Sequence, residues 1–209
     1  MVNTNTQDKK PVNINLLERV KANQVINNRD WCRFIFPYET EYKGDTRKFI
    51  YDAYKAAIPN FRWHEEYLNL AEYVADNQGR GLMLQGNIGT GKTEFVKNIL
   101  IPYIKVAHNR IIKAYNAEEL NINPEELLEK KALFIDDIGR EIKAKVYGNE
   151  INTLEVIANN LEQKDVFLIA TTNLSTAELT AKYGERAIDR MKKYMSWVNF
   201  GVMTSQRNI

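Results

Sequence analysis

The chain has 209 residues, 44% of them hydrophobic and 27% charged, with a formal net charge of +2. This is enough for one domain with a full hydrophobic core, and the near-neutral balance excludes nucleic-acid binding through bulk charge alone. The single cysteine, Cys32, excludes an internal disulfide or a multi-cysteine zinc site and reads as a small core residue.

The opening stretch MVNTNTQDKKP is polar and lacks the apolar run of a secretory signal. No apolar run approaches the roughly 18 residues of a membrane span, so a cytoplasmic location is expected. Residues 1–13 are expected to be disordered. Residues 14–28 place Ile14, Leu17 and Val20 at helical spacing. WCRFIFPYETEYKGD is aromatic-rich and broken by Pro37 and Gly44, so it reads as irregular structure or a short hairpin. Asp45 or Thr46 caps a helix through 57 that Pro59 stops, and a second helix covers 63–77 before Gly79.

From residue 80 short apolar runs alternate with helical stretches. Strands are expected at 81–85, 110–115, 132–137, 165–172 and 195–200. Helices are expected near 91–107, where Pro102 should kink or divide the element, and at 124–131, 149–163 and 176–194. This alternation implies a parallel sheet covered on both faces. The only histidines, His64 and His108, lack metal-ligand spacing; His64 reads as part of a helix start and His108 as a polar helix end.

Gly86-Asn87-Ile88-Gly89-Thr90-Gly91-Lys92-Thr93 matches G-x-x-x-x-G-K-[ST] between a predicted strand and a predicted helix, the context this motif requires. Glycines let the backbone turn its N–H groups onto phosphate oxygens, and the helix adds its N-terminal partial charge. Lys92 supplies charge to the β and γ phosphates, and the Thr93 hydroxyl ligates Mg²⁺. ATP and Mg²⁺ are therefore the expected cofactors.

The strand LFIDD ends in Asp136 and Asp137. Carboxylates at the carboxyl end of a parallel strand face the ligand crevice, where Asp136 would hold Mg²⁺ and Asp137 would orient a water; alone, two adjacent acids could merely cap a turn. DVFLIATTN ends in Thr171, Thr172 and Asn173, the last either a turn residue or a group reaching the γ-phosphate. In YGERAIDRM, Arg186 and Arg190 share a helical face. That face is either solvated, with Asp189 pairing to Lys193, or offered to a phosphate on a neighbouring subunit.

The order GNIGTGKT, LFIDDIG, ATTNLS, YGERAIDRM and a closing S-x-R resembles the DnaC/IstB-like branch of the AAA+ ATPases over roughly residues 80–209. The resemblance implies an α/β fold, a three-layer P-loop sandwich with a five-stranded parallel sheet, no helical lid domain and a short helical N-terminal extension. It divides the chain into an N-terminal tail and partner-binding segment, 1–44, and an ATPase core, 45–209. It makes Asn173 the sensor asparagine, Arg190 the trans-acting arginine finger with Arg186 an associated position, and Arg207 a late arginine near the γ-phosphate.

Three features depart from that branch: the zinc module of some loaders is absent, the segment between RIIKAY and ALFIDD is short, and Asp137 stands where glutamate is common. The implied function is ATP-dependent loading of a replicative ring helicase in DNA replication, for a phage or mobile element, by an ATP-dependent homo-oligomer with DNA, single-stranded, as a second partner. Lys143 and Lys145 are the first candidates to touch that DNA. An IstB-like transposition helper is the alternative, and a P-loop small-molecule kinase is a third reading from a different class.

Overall fold

GLMLQ forms β1 (Gly81–Gln85), buried at all five positions as a strand covered on both faces must be. The computed structural model describes residues 30–58, 60–121, 124–141, 144–146, 149–151, 153–201, 203 and 205. The expected helix at 14–28 therefore lies outside the described residues.

Two helices precede β1. In α1 (Thr46–Ala57) the Asp45 carboxylate accepts from Lys48 N, and the helix ends at Ile58, ahead of Pro59. α2 (Tyr67–Ala75) buries Tyr67, Leu70, Ala71, Tyr73 and Val74.

The helix after the glycine loop, α3, opens as Lys92–Glu94, widens to a π-helix over Phe95–Leu100 and closes as Ile101–His108. The expected break at Pro102 takes this form. Proline brings no N–H, and just ahead of it the N–H of Ile101 reaches back five residues to Val96.

Next come β2 (Lys113–Asn116), α4 (Pro124–Leu128) and β3 (Ala132–Ile138). A small antiparallel pair follows, β4 (Ala144–Val146) with β5 (Asn149–Ile151). β5 occupies the start of the stretch expected to be helical, so α5 begins only at Thr153 (Thr153–Gln163). After β6 (Phe167–Thr172), the single helix expected over 176–194 is two, α6 (Thr176–Tyr183) and α7 (Glu185–Tyr194). They part at Gly184, whose φ of 82° lies outside helical space. α7 runs directly into β7 (Met195–Asn199).

The five long strands are parallel in the order β2-β3-β6-β1-β7. Alternate side chains feed two cores. Leu82, Leu84, Phe134 and Ile169 pack with α1, α2 and α3; Met83, Ile135, Leu168 and Ala170 pack with α5, α6 and α7. This is the expected three-layer α/β sandwich.

The aromatic segment before α1 joins the first core. Phe34 and Phe36 are buried, Phe36 stacks on Tyr103 with ring centroids 5.5 Å apart, and Tyr42 meets Phe49 edge-on. Cys32 is buried and its thiol donates to Gly79 O. No described helix is long and apolar enough to cross a membrane.

Candidate nucleotide site

The strand order decides what meets at the carboxyl end of the sheet. β6 lies between β1, which leads into the glycine loop, and β3, which carries the acids, so the residues after β6 fall between the two.

The loop itself needs its glycines. Gly86 has φ of 147°, and a Cβ there would stand 2.7 Å from the backbone carbon of Phe200. Gly89 and Gly91 have φ of 84° and 85°. The first two helices hold the loop from below: Tyr54 OH donates to Gly91 O at 3.3 Å and Tyr67 OH to Thr90 O at 3.5 Å. Burial raises the Tyr54 phenol well above its ordinary range, so it remains a donor. On the far side Asn87 Nδ2 donates to Gly201 O.

Lys92 is 5% exposed, and its ammonium donates to Gly86 O and Asn87 O at 2.8 Å and to Asn173 Oδ1 at 3.1 Å. Asn173 Nδ2 in turn donates to Asp137 Oδ1 at 3.1 Å, and Arg140 lies 3.4 Å from Asp137 Oδ2. A continuous polar line therefore runs Lys92–Asn173–Asp137–Arg140. Together with Gly89, Gly91, Thr93 and the apolar Ile58 and Ile88, these residues line a cavity of about 410 Å³.

The two acids are seated by a bulge. Ile135 pairs with Ala170 and Ile138 with Thr172, so Asp136 and Asp137 together oppose Thr171 alone. Thr171 serves both, donating from Oγ1 to Asp136 Oδ1 at 2.6 Å and accepting from Asp137 N at 2.8 Å. Asp137 takes φ of 56°, a left-handed conformation that aspartate tolerates better than glutamate.

Asp136 is 7% exposed. Its Oδ1 also accepts from Thr93 Oγ1 at 2.8 Å, and Lys97 Nζ lies 2.8 Å from its Oδ2. Burial opposes its charge, but the hydrogen bonds from Lys97, Thr171 and Thr93 outweigh that and hold the carboxyl below its ordinary range. An ionised carboxylate beside a hydroxyl, both hard oxygen donors under a phosphate cradle, fits a Mg²⁺ that rides in on a triphosphate. The positive-φ glycines and the inward ammonium fit the triphosphate itself.

The arginines lie elsewhere. Arg190 sits on α7, its guanidinium donating to Asn159 Oδ1 at 2.9 Å and lying 3.4 Å from Glu162, both on α5. Lys193 pairs with Glu162 as well, rather than with Asp189. Arg186 is exposed on the same helix. Arg207 and Lys143 lie outside the described residues, and Lys145 falls in β4. Among the described residues no group of three or more His, Cys, Asp or Glu side chains gathers to hold a metal.

Two site residues escaped the sequence reading. Lys97 stands four residues after Thr93, hence on the same helical face, and Arg140 three after Asp137 in the turn beyond β3.

No family model matches the chain, and no curated protein does. Among solved structures it is similar to a proposed primosome component from Streptococcus pyogenes serotype M3, at 16% identity and a TM-score of 0.45, covering 79% of this chain and 85% of that one. It is similar to the DnaC helicase loader at 15% identity and a TM-score of 0.45, covering 74% and 89%. It is also similar to DnaA from Aquifex aeolicus, solved with AMPPCP, at 17% identity and a TM-score of 0.46, covering 69% of this chain and 50% of that one.

Proposed function

We propose that the chain is an ATP-binding switch of the DnaC-like AAA+ type: it binds ATP·Mg²⁺ in the glycine cradle, hydrolyses it slowly, and assembles with copies of itself to load a ring helicase onto DNA. The observation that carries the nucleotide part is the line Lys92–Asn173–Asp137, which links the phosphate-binding lysine to a carboxylate able to orient a water.

In this reading the loop N–H groups and Lys92 bind the β and γ phosphates, and Thr93 and Asp136 hold the metal. The metal would neutralise charge on the phosphate oxygens. Asn173 holds the Asp137 carboxylate by its amide hydrogen bond, and Asp137 would accept a proton from the attacking water. The rest of the catalytic charge comes from outside the subunit, through Arg190 or Arg186 of a neighbouring copy. In this reading the Arg190 guanidinium exchanges its contacts to Asn159 and Glu162 for the neighbouring copy's phosphate on assembly.

The loader role rests on the order of motifs that the chain shares with the DnaC/IstB-like branch. Affinity capture from the native host, with and without ATP, tests it. Recovery of a ring helicase supports the loader; filaments on duplex DNA together with a transposase would move the proposal to the IstB-like helper. ATP hydrolysis without any added acceptor separates both from a small-molecule kinase.

A further inference from the structure

The Asp136 carboxylate already has a full cation on it. Thr93 and Lys97, four apart on α3, both reach it, the hydroxyl at Oδ1 and the ammonium at Oδ2, each at 2.8 Å. With Thr171 also on Oδ1, every oxygen of the buried acid has a partner supplied by the chain itself. The Lys97 ammonium also lies over the Phe134 ring, 5.9 Å from its centroid. Its side chain is 42% exposed against 9% for Asp136, so the ammonium reaches the acid from the solvent side and can withdraw along its own flexible stem.

Resting on the nucleotide reading above, we infer that Lys97 is a resident counter-cation of the metal-holding carboxylate and supplies part of the charge that a divalent cation would otherwise bring. Two consequences follow from Coulomb's law alone. Without a divalent cation, the ammonium still offsets the negative charge of Asp136 and of an incoming triphosphate, so the nucleotide binds better than it would in a site that presents a bare carboxylate. With a divalent cation, Lys97 and the metal compete for one carboxylate and repel each other, so the metal adds less. Both effects reduce the dependence of nucleotide affinity on Mg²⁺.

The experiment is a fluorescence titration of a labelled ATP analogue against the full chain, once in excess Mg²⁺ and once in EDTA. The quantity read is the ratio of the two dissociation constants. In Lys97→Met, which keeps the stem and loses the charge, that ratio should rise about tenfold over wild type. Lys97→Gln, which keeps a donor for Oδ2, should show the same rise, and Lys97→Arg should stay near wild type. If Lys97→Met and Lys97→Gln keep the wild-type ratio, with affinity altered equally in both media or not at all, Lys97 is a packing residue and the inference is overturned. Loss of folding in Lys97→Met is tested by melting, and Lys97→Gln then decides alone. If wild type binds the analogue in neither medium, the nucleotide reading itself has failed, and the inference falls with it.

Discussion

The Asn173 amide donates to the Asp137 carboxylate at 3.1 Å, and Asp137 takes its position at φ of 56°. Asparagine tolerates left-handed backbone as aspartate does, whereas a side chain without that local hydrogen-bonding reach costs roughly 1 kcal/mol there. Asp137→Asn is therefore expected to melt near wild type and to bind ATP. It should lose hydrolysis by a factor on the order of 10²–10⁴, the usual worth of a positioned base. Asp137→Glu should melt lower despite restoring the commoner residue. Steady-state turnover and thermal melting check both, and undiminished turnover in Asp137→Asn would remove Asp137 from the mechanism.

Lys92→Ala should abolish the response to nucleotide. In wild type, a hundredfold excess of ATP·Mg²⁺ over its dissociation constant stabilises the fold by about 2.7 kcal/mol. Lys92 also bonds Gly86 O and Asn87 O, so the variant should melt somewhat lower without any ligand. The diagnostic quantity is the shift that ATP·Mg²⁺ adds to each protein; equal shifts would remove the cradle from nucleotide binding.

The neighbour-supplied arginine has a concentration signature. Turnover per subunit should rise with protein concentration over the range where copies assemble, because arginine fingers contribute roughly 10³–10⁵ in rate in related NTPases. Arg190→Ala should remove the rise and keep ATP affinity. It also cuts the contacts to Asn159 and Glu162, so Glu162→Gln is the control. That variant loosens the same α5–α7 contact without touching the arginine and should keep the rise. A flat profile in wild type, across a measured change in assembly, would count against a trans-acting residue.

The three central strands were legible because a strand buried on both faces must read as an apolar run, and Leu82–Leu84, Leu133–Ile135 and Phe167–Ala170 do so. What pairing adds was not. Nothing in RIIKAY says that pairing waits until Lys113, and nothing in LFIDDIG announces the bulge that sets Asp136 and Asp137 against Thr171. Gly184 sits inside a run of helical spacing, and only its φ reveals that α6 and α7 are separate. Thr93, Asp136 and Asn173 follow from motif order, since each motif is tied to a strand end. Lys97 and Arg140 belong to no motif, and their roles appear only once the strands stand side by side.

One pH effect lies far from the site. Burial, then the Arg110 cation, hold the His108 imidazole below its ordinary pKa, and its Nε2 lies 3.1 Å from Tyr103 OH, with the Phe34 ring beside it. A depressed folded-state pKa contributes stability that is present above the unfolded value of about 6.5 and is lost as pH falls through the folded value. The melting temperature should therefore drop as pH falls below about 6.5, and His108→Asn should flatten that drop. An unchanged slope in the variant would assign the effect to other groups.

The last prediction concerns where the chain can be cut. The aromatic segment ahead of α1 contains both packing residues and exposed ones. Phe34 and Phe36 are buried against Tyr73, Phe49 and Tyr103, while Trp31 is 37% exposed and Tyr38 69%. Arg33 also pairs with Asp76, and Phe34 N donates to Asn77 Oδ1 at 2.8 Å, so the segment is bonded to the end of α2. Removing a buried phenylalanine side chain costs roughly 3–5 kcal/mol, a large part of a domain's stability. A chain starting at residue 45 loses two of them and is expected to unfold or to aggregate. A chain starting at residue 30 keeps them all and should melt and bind ATP like the full protein. If the first 29 residues dock the ring helicase, as the resemblance to helicase loaders implies, that truncated chain should no longer capture it. Tyr38→Ala separates a second possibility: it touches little of the core, so a loss of capture at unchanged melting would place part of the docking surface on this segment. Capture by the 30–209 chain at full affinity, with Tyr38→Ala equally competent, would move helicase docking away from the N-terminal region altogether.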